Sequence, residues 1–464
     1  MISRRKFLVT GIGAVAAIGG VAYYARDKWL PYVMPGRSPT PTITTPGPTS
    51  GNNPPYADFE LVKPKYILPA VGQEVLLRST SKDEDGDPLI QKLYVNEVLE
   101  QETQTTNQPI DFRFKFKQPG TNRVKLEVSD GKLTDAREYY YEVEPDQIYP
   151  TKPFNLKYKG IGYFAGNLPG WPSSPTPSRD RMERELEIIR DDLGCNAVRI
   201  VAGGSYEDNL IECGKLAVDL GFDRIFICPR YMDETMEKTI ERIGAFGGRV
   251  RDLKEISESI VYMVGNEFPL DTFDMIGGGG YYARVANMNK DWGRVVKMLP
   301  AMMREIIRVC REKYGYPISY AAIVKEVDLI PWSDPAFESV GVNAYLMEYY
   351  GWDNWRVRKL FGGLKLYRKP IHSTEWGCMS YTDAGRYGAM AALHFSSGRG
   401  YDEDEQANYI DRYCRMLNQT GIDGSFYIDY FETGAGSDTS YTLLNGVRRK
   451  KGFYMYKSFQ RLGS

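Results

Sequence analysis

From about Lys157 onward the chain alternates short apolar runs with amphipathic stretches, and this alternation limits the fold more than any other feature. YKGIGYF, CNAVRIVA, RIFICP, SIVYMVGNE, ISYAAI, SVGVNAY, KPIHSTEW and GSFYIDYFE read as eight strands. They are apolar throughout, and strands buried on both faces belong to a parallel sheet. Helical patterns lie between most of them. SRDRMERELEIIRDDLG has Ser178 as its N-cap, and DNLIECGKLAVDLG ends at Gly221. DETMEKTIERIGAFG follows, and then WGRVVKMLPAMMREIIRVCREKYG, interrupted early by Pro300. Eight such β-α units in about 310 residues predict a (β/α)8 barrel, the TIM barrel, over residues 147–464.

A chain of 464 residues is too long for one ordinary core, and its texture changes three times before the barrel. Residues 1–28 contain MISRRKFLVTGIGAVAAIGGVAYYA. Ser3-Arg4-Arg5-Lys6-Phe7-Leu8, followed by a Gly/Ala-rich apolar segment, resembles a twin-arginine export signal. The resemblance implies export to the cell surface or the medium. The apolar run is about long enough to be retained as a membrane tether. Residues 29–55, rich in Pro and Thr, read as an extended linker.

Residues 56–146 return to alternating runs: EVLLRST, KLYVNEVL, DFRFKF, RVKLEVSD and REYYYEVE. The turn sequences DEDGDP and SDGK lie between them, which predicts a small all-β immunoglobulin-like sandwich. SKDEDGDPL and VKLEVSDGKLTD resemble repeats of the polycystic-kidney-disease type, which implies a spacing or adhesive role. Asp83, Asp85 and Asp87 alternate as calcium ligands do. The glutamate that closes such a loop does not follow at its place, so a solvated turn is expected.

Composition removes several chemistries. The 59 basic and 60 acidic residues leave no electrostatic reason to expect a nucleic acid partner. Two histidines, His372 and His394, are too few for a histidine-rich zinc site, and there is no G-x-S-x-G elbow. Six cysteines without C-x-x-C spacing read as buried thiols rather than a metal knuckle or redox pair. His372 reads as a hydrogen-bonded core histidine, and GGGG at 277–280 as a flexible rim loop.

In a barrel of this kind the chemistry sits at the C-terminal ends of the strands. Two glutamates meet that condition: Glu267 in VGNEFP ends the fourth strand, and Glu375 in IHSTEWG ends the seventh. Two carboxyl groups facing each other across a barrel mouth suit glycosidic cleavage, one as proton donor and one as nucleophile or base.

Asn266-Glu267 and Thr374-Glu375-Trp376-Gly377 resemble the strand-end motifs of clan A glycoside hydrolases, nearest in texture to family 5. The resemblance covers the barrel. It implies that Glu267 is the acid/base and Glu375 the nucleophile. It also implies that Arg199 holds the nucleophile ionised, Tyr345 donates to it, and Asn266 bonds the sugar 2-hydroxyl. Neither a metal nor an organic cofactor is implied. Trp376 and Trp171, with Trp352 and Trp355, are expected to offer stacking surfaces to sugar rings. The chain departs from the family pattern at Phe268, where proline follows the acid/base, and at Tyr430 and Phe431, where a tryptophan is common. The expected function is an exported retaining β-glycosidase acting on an oligo- or polysaccharide of the β-glucan or β-mannan type. The alternative is a non-catalytic surface protein that binds carbohydrate on the same scaffold.

Overall fold

The computed structural model describes residues 52–63, 68–106, 108–145, 152–168, 176–394, 399–428, 443–445 and 448–460. The chain divides into two compact units. The smaller ends at Ile148 and includes Arg448 and Arg449; the larger holds the remainder from Tyr149 on. The segment expected to be an export signal and most of the expected linker lie outside the described residues, as do Trp171, Tyr430 and Phe431. Among the described residues no helix is long and apolar enough to cross a membrane.

The smaller unit is a sandwich of antiparallel strands: β1 (Phe59–Lys63), β2 (Glu74–Ser79), β3 (Leu89–Val95), β4 (Val98–Thr105), β5 (Ile110–Lys115), β6 (Gly120–Ser129) and β7 (Thr134–Val143). One sheet has the order β1-β2-β5 and the other β4-β3-β6-β7. Val75, Leu77 and Phe112 of the first share a core with Leu93, Val124, Leu126 and Val128 of the second. Every second residue of β6 from Asn122 to Val128 is buried, the period of a half-buried strand. KLYVNEVL, which reads as one strand, is a hairpin. Asn96 and Glu97 both take positive φ, 48° and 67°, the conformation of a two-residue turn with the twist of its flanking strands. Asp83, Asp85 and Asp87 form a turn. The Asp83 carboxylate accepts from the backbone N–H groups of Asp85 and Asp87, at 2.9 and 3.2 Å, and Asp87 pairs with Lys132.

The larger unit is a closed parallel barrel of β8 (Tyr158–Phe164), β9 (Ala197–Gly203), β10 (Arg224–Arg230), β11 (Ile260–Asn266), β12 (Ser319–Ile323), β13 (Val340–Asn343), β14 (Ile371–Trp376) and β15 (Gly424–Tyr427). All residues of β9 and β11 are buried, which explains their unbroken apolar texture. Ala197, Phe226, Val261, Met263, Ala321 and Phe426 belong to one buried core. Gly160 makes room for it, since a Cβ there would lie 2.4 Å from the Phe426 ring.

Ser178 caps the helix Arg179–Glu187 by accepting from the Arg181 N–H. The long helix begins earlier than its pattern suggests. It runs from Tyr281 to Lys313 with Pro300 inside it, and Gly280 is its N-cap residue. All six cysteines are free and buried.

His372 departs from expectation. It is fully buried against Tyr158, Phe226 and Phe426, and neither ring nitrogen has a hydrogen-bond partner among the described residues. Burial pulls its pKa down to about 3, so the ring packs as a neutral aromatic.

Candidate active site

Strand pairing slips at the mouth, on the strands that carry the polar residues. Val342 pairs with Ser373 but Asn343 with Glu375, so Thr374 is left between them. A similar irregularity lies between Met263 and Asn266 on β11. A bulge re-aims the side chains that follow it. Here the re-aimed groups are Asn266 and Glu375, with Asn343 opposite the bulge on β14.

Glu375 accepts from Arg199 Nη1 at 2.9 Å through Oε2 and from Tyr345 Oη at 2.7 Å through Oε1. Arg199 is buried, and its other nitrogen, Nη2, donates to Asn266 Oδ1 at 2.6 Å. One guanidinium, rising from the middle of β9, therefore ties the ends of β11 and β14 together. Asn343 Nδ2 donates to Asn266 Oδ1 at 3.0 Å and to Glu267 Oε1 at 2.9 Å. Thr374 Oγ1 donates to Asn343 Oδ1 at 2.8 Å, which orients that amide. Asn266 Nδ2 is buried with no partner among the described residues. A donor left bare in a polar mouth is a place for a ligand oxygen.

Glu267 follows β11 with φ 50° and ψ 51°, a left-handed conformation that costs a residue with a side chain about 1–3 kcal/mol. Its Oε2 accepts from Tyr281 Oη at 2.7 Å. Burial, and then the charge of Glu375, push its pKa up to about 7, against the pull of Arg230, Asn343 and Tyr281. The two carboxyl groups thus have different surroundings. Glu375 is salt-bridged to a buried guanidinium, while Glu267 is held towards its protonated form.

The structure brings Glu267, Glu375, Asn266, Arg199 and Tyr345 into one hydrogen-bonded network. Trp376 is a correction. It is fully buried, its Nε1 donates to Ser425 Oγ at 2.6 Å, and its ring stacks on Tyr413 at 4.1 Å. With both faces enclosed by the protein it offers no surface to a sugar. Trp355 is exposed on the helix Asn354–Leu364 with Lys359 over its ring, and Trp352 is half-buried.

Three residues of the site were not read from the sequence as site residues. Asn343 ends β13, and Arg230 ends β10 with a two-pronged bond to Asp271 at 2.6 and 3.1 Å. A polar residue closing an apolar strand was the signal for both. Tyr281 carries no such signal, because it reaches Glu267 from the first turn of a helix that begins after the GGGG segment.

Replacing Arg199 by methionine is expected to destabilise the barrel by roughly 3–5 kcal/mol, because Glu375 and Asn266 Oδ1 lose a buried partner. Urea unfolding of the two proteins at pH 7 measures the difference. A change under about 1 kcal/mol would mean that water replaces the guanidinium, as at exposed pairs.

No protein-family model matches the sequence, and no curated protein matches it. Solved structures similar to it include a β-glucuronidase from Ruminococcus gnavus in complex with D-glucaro 1,5-lactone, at 13% identity and TM-score 0.43, covering 88% of this chain and 67% of that one. A β-glucuronidase from Bacteroides uniformis matches at 15% identity and TM-score 0.45, over 87% of this chain and 49% of that one. One from Parabacteroides merdae matches at 12% identity and TM-score 0.45, over 88% and 54%. The chain spans from about half to about two thirds of the length of these proteins.

Proposed function

We propose that the protein is a retaining β-glycosidase of the clan A kind, with Glu375 as nucleophile and Glu267 as acid/base. The observation that carries this reading is the pair of carboxyl groups in opposed environments at one barrel mouth. In the first step Glu375 attacks the anomeric carbon and the glycosidic C–O bond breaks. Glu267 gives its proton to the leaving oxygen, and a glycosyl ester forms on Glu375. In the second step Glu267, now a carboxylate, takes a proton from water, and that water displaces the ester with net retention. Arg199 and Tyr345 hold the nucleophile in place and balance its charge. The bare Asn266 Nδ2 supports a hydrogen bond to the sugar 2-hydroxyl. Nothing in these steps calls for a metal or an organic cofactor.

The proposed substrate is a β-linked polysaccharide of the glucan or mannan type. Support comes from the loops after β13 and β14, where Tyr349 and Tyr350 are 49% and 43% exposed. Tyr349 packs on Tyr350 and Tyr387 at 5.2 Å each, and His394 stacks on Tyr387 at 4.2 Å. Grouped exposed rings on the catalytic face suit an extended chain of sugars. Export through the N-terminal signal would place the enzyme where such polymers are found.

The test is incubation of residues 56–464 with β-linked polysaccharides and aryl β-glycosides, with the first-formed anomer read by NMR. Cleavage to a β product is expected. Binding without cleavage across the panel would favour a carbohydrate-binding protein, and an α product would make the enzyme inverting. Replacing Tyr349 and Tyr350 together by alanine is expected to raise KM for the polymer by about tenfold, more than for an aryl glycoside. Equal effects on both would remove the tyrosines from the polymer path.

A further inference from the structure

Glu326 is a buried acid with no part in the steps above. It lies just after β12, in IVKEVDL. Its Oε1 accepts from Tyr320 Oη at 3.0 Å and from the Ile323 N–H at 2.8 Å. Its Oε2 is buried with no partner among the described residues. A carboxylate with one oxygen bare in the interior is far costlier than the neutral acid. Burial accordingly pushes its pKa well above the usual carboxyl range.

Tyr320, on β12, uses the same hydroxyl twice. It donates to Glu326 and accepts from the Phe268 N–H at 2.8 Å. Its ring stacks on Phe268 with centroids 4.8 Å apart and planes 19° apart. Phe268 is the residue after Glu267, and the Glu267 N–H donates to the carbonyl of Ala321, the neighbour of Tyr320, at 3.0 Å. Gly265 admits this arrangement, since a Cβ there would lie 2.4 Å from the Phe268 ring. The peptides on both sides of Glu267 are therefore anchored to β12.

We propose that Tyr320 and Glu326 form a positioning device for Glu267, locking the peptide that follows it and so fixing the left-handed turn that aims its carboxyl group into the mouth. This rests on Glu267 being the acid/base. Phe268 opens a short helical turn, and its N–H has no acceptor within that turn. Tyr320 supplies the acceptor, and the neutral Glu326 holds the tyrosine hydroxyl in the orientation that leaves a lone pair free. An ionised Glu326 would add a negative charge near Glu267 and Asp271. The other groups facing Glu267 are Glu375 from β14, Arg230 from β10 and Tyr281 from the long helix.

The experiment compares Tyr320→Phe, Glu326→Met and Glu326→Gln with wild type. One readout is kcat and KM on an aryl β-glycoside against pH. The other is the titration of the Glu267 carboxyl by 13C NMR of glutamate-labelled protein, with Glu267→Gln identifying the resonance. Tyr320→Phe and Glu326→Met are expected to lower kcat by about ten- to a hundredfold with KM little changed, as a small misplacement of a reacting group does. In both, Glu267 is expected to titrate lower, because a loosened turn lets water reach it. Glu326→Gln keeps a neutral acceptor and is expected to behave as wild type.

Wild-type rates and wild-type Glu267 titration in folded Tyr320→Phe and Glu326→Met would overturn the proposal. So would Glu326→Gln behaving as Glu326→Met, since that outcome requires an ionised Glu326. If Tyr320→Phe does not fold, the contrast between the two Glu326 variants decides. Failure of the glycosidase reading looks different. Wild type would then cleave no glycoside, while the Glu267 titration would still respond to Tyr320→Phe.

Discussion

Glu375→Ala is expected to lower kcat on an aryl β-glycoside by roughly 10⁴-fold or more, as removal of a nucleophile does. Added azide is expected to restore release of the aryl group. The reason is geometric: alanine leaves a space beside Arg199 and Tyr345, whose donors faced the lost carboxylate at 2.9 and 2.7 Å. An anion entering that space stands where the nucleophile stood. Azide would attack from the same face, and the product from a β-glycoside would be the α-glycosyl azide. A β-glycosyl azide would exchange the roles of the two glutamates. An active Glu375→Ala without azide would remove the site from this mouth altogether.

Glu267→Gln is expected to slow unactivated β-glycosides by about 10²–10⁴-fold, the range for loss of a general acid. Substrates with an activated aryl leaving group should lose less in the first step, because they leave without a proton. The alkaline limb of the pH profile, set by a carboxyl group titrating at about 7, should disappear.

The same substitution has an opposite effect on stability. A carboxyl group whose pKa rises on folding, here from 4.5 to about 7, binds its proton more tightly in the folded state. The folded protein then loses stability as pH rises from about 4.5 through about 7, by up to roughly 3 kcal/mol once Glu267 is ionised. Glutamine carries no such penalty. The gain in unfolding free energy from Glu267→Gln should therefore be larger at pH 8 than at pH 4.5. Urea unfolding at the two values measures it, and equal gains would mean that Glu267 titrates in its ordinary range.

The tertiary structure corrected the sequence reading where local pattern and packing diverge. KLYVNEVL has the composition of a strand, and only the positive φ values of Asn96 and Glu97 turn it into a hairpin. Tryptophan after a strand-end glutamate suggested an exposed ring. Yet Trp376 still belongs to β14, where alternate side chains point to opposite sides, and its ring turns away from Glu375 to stack on Tyr413. His372 was expected to find a partner and instead lies among aromatic rings. The order of residues along a strand does not say which neighbours other strands will bring.

By itself the sequence determined the barrel, because strands apolar on both faces and alternating with amphipathic helices have few other ways to be buried. Strand ends also pointed to Glu267 and Glu375, and the resemblance of the motifs around them to Asn266, Arg199 and Tyr345. Only the tertiary structure decided how those residues are joined and what surrounds each of them. The bulge that aims Glu375, the reach of Tyr281 across to Glu267, the anchoring of Phe268 by Tyr320, and the tie from Arg199 to Glu375 join residues from 14 to 176 positions apart. Protonation follows from burial and neighbouring charge, and both are set by contacts of that range rather than by adjacent residues.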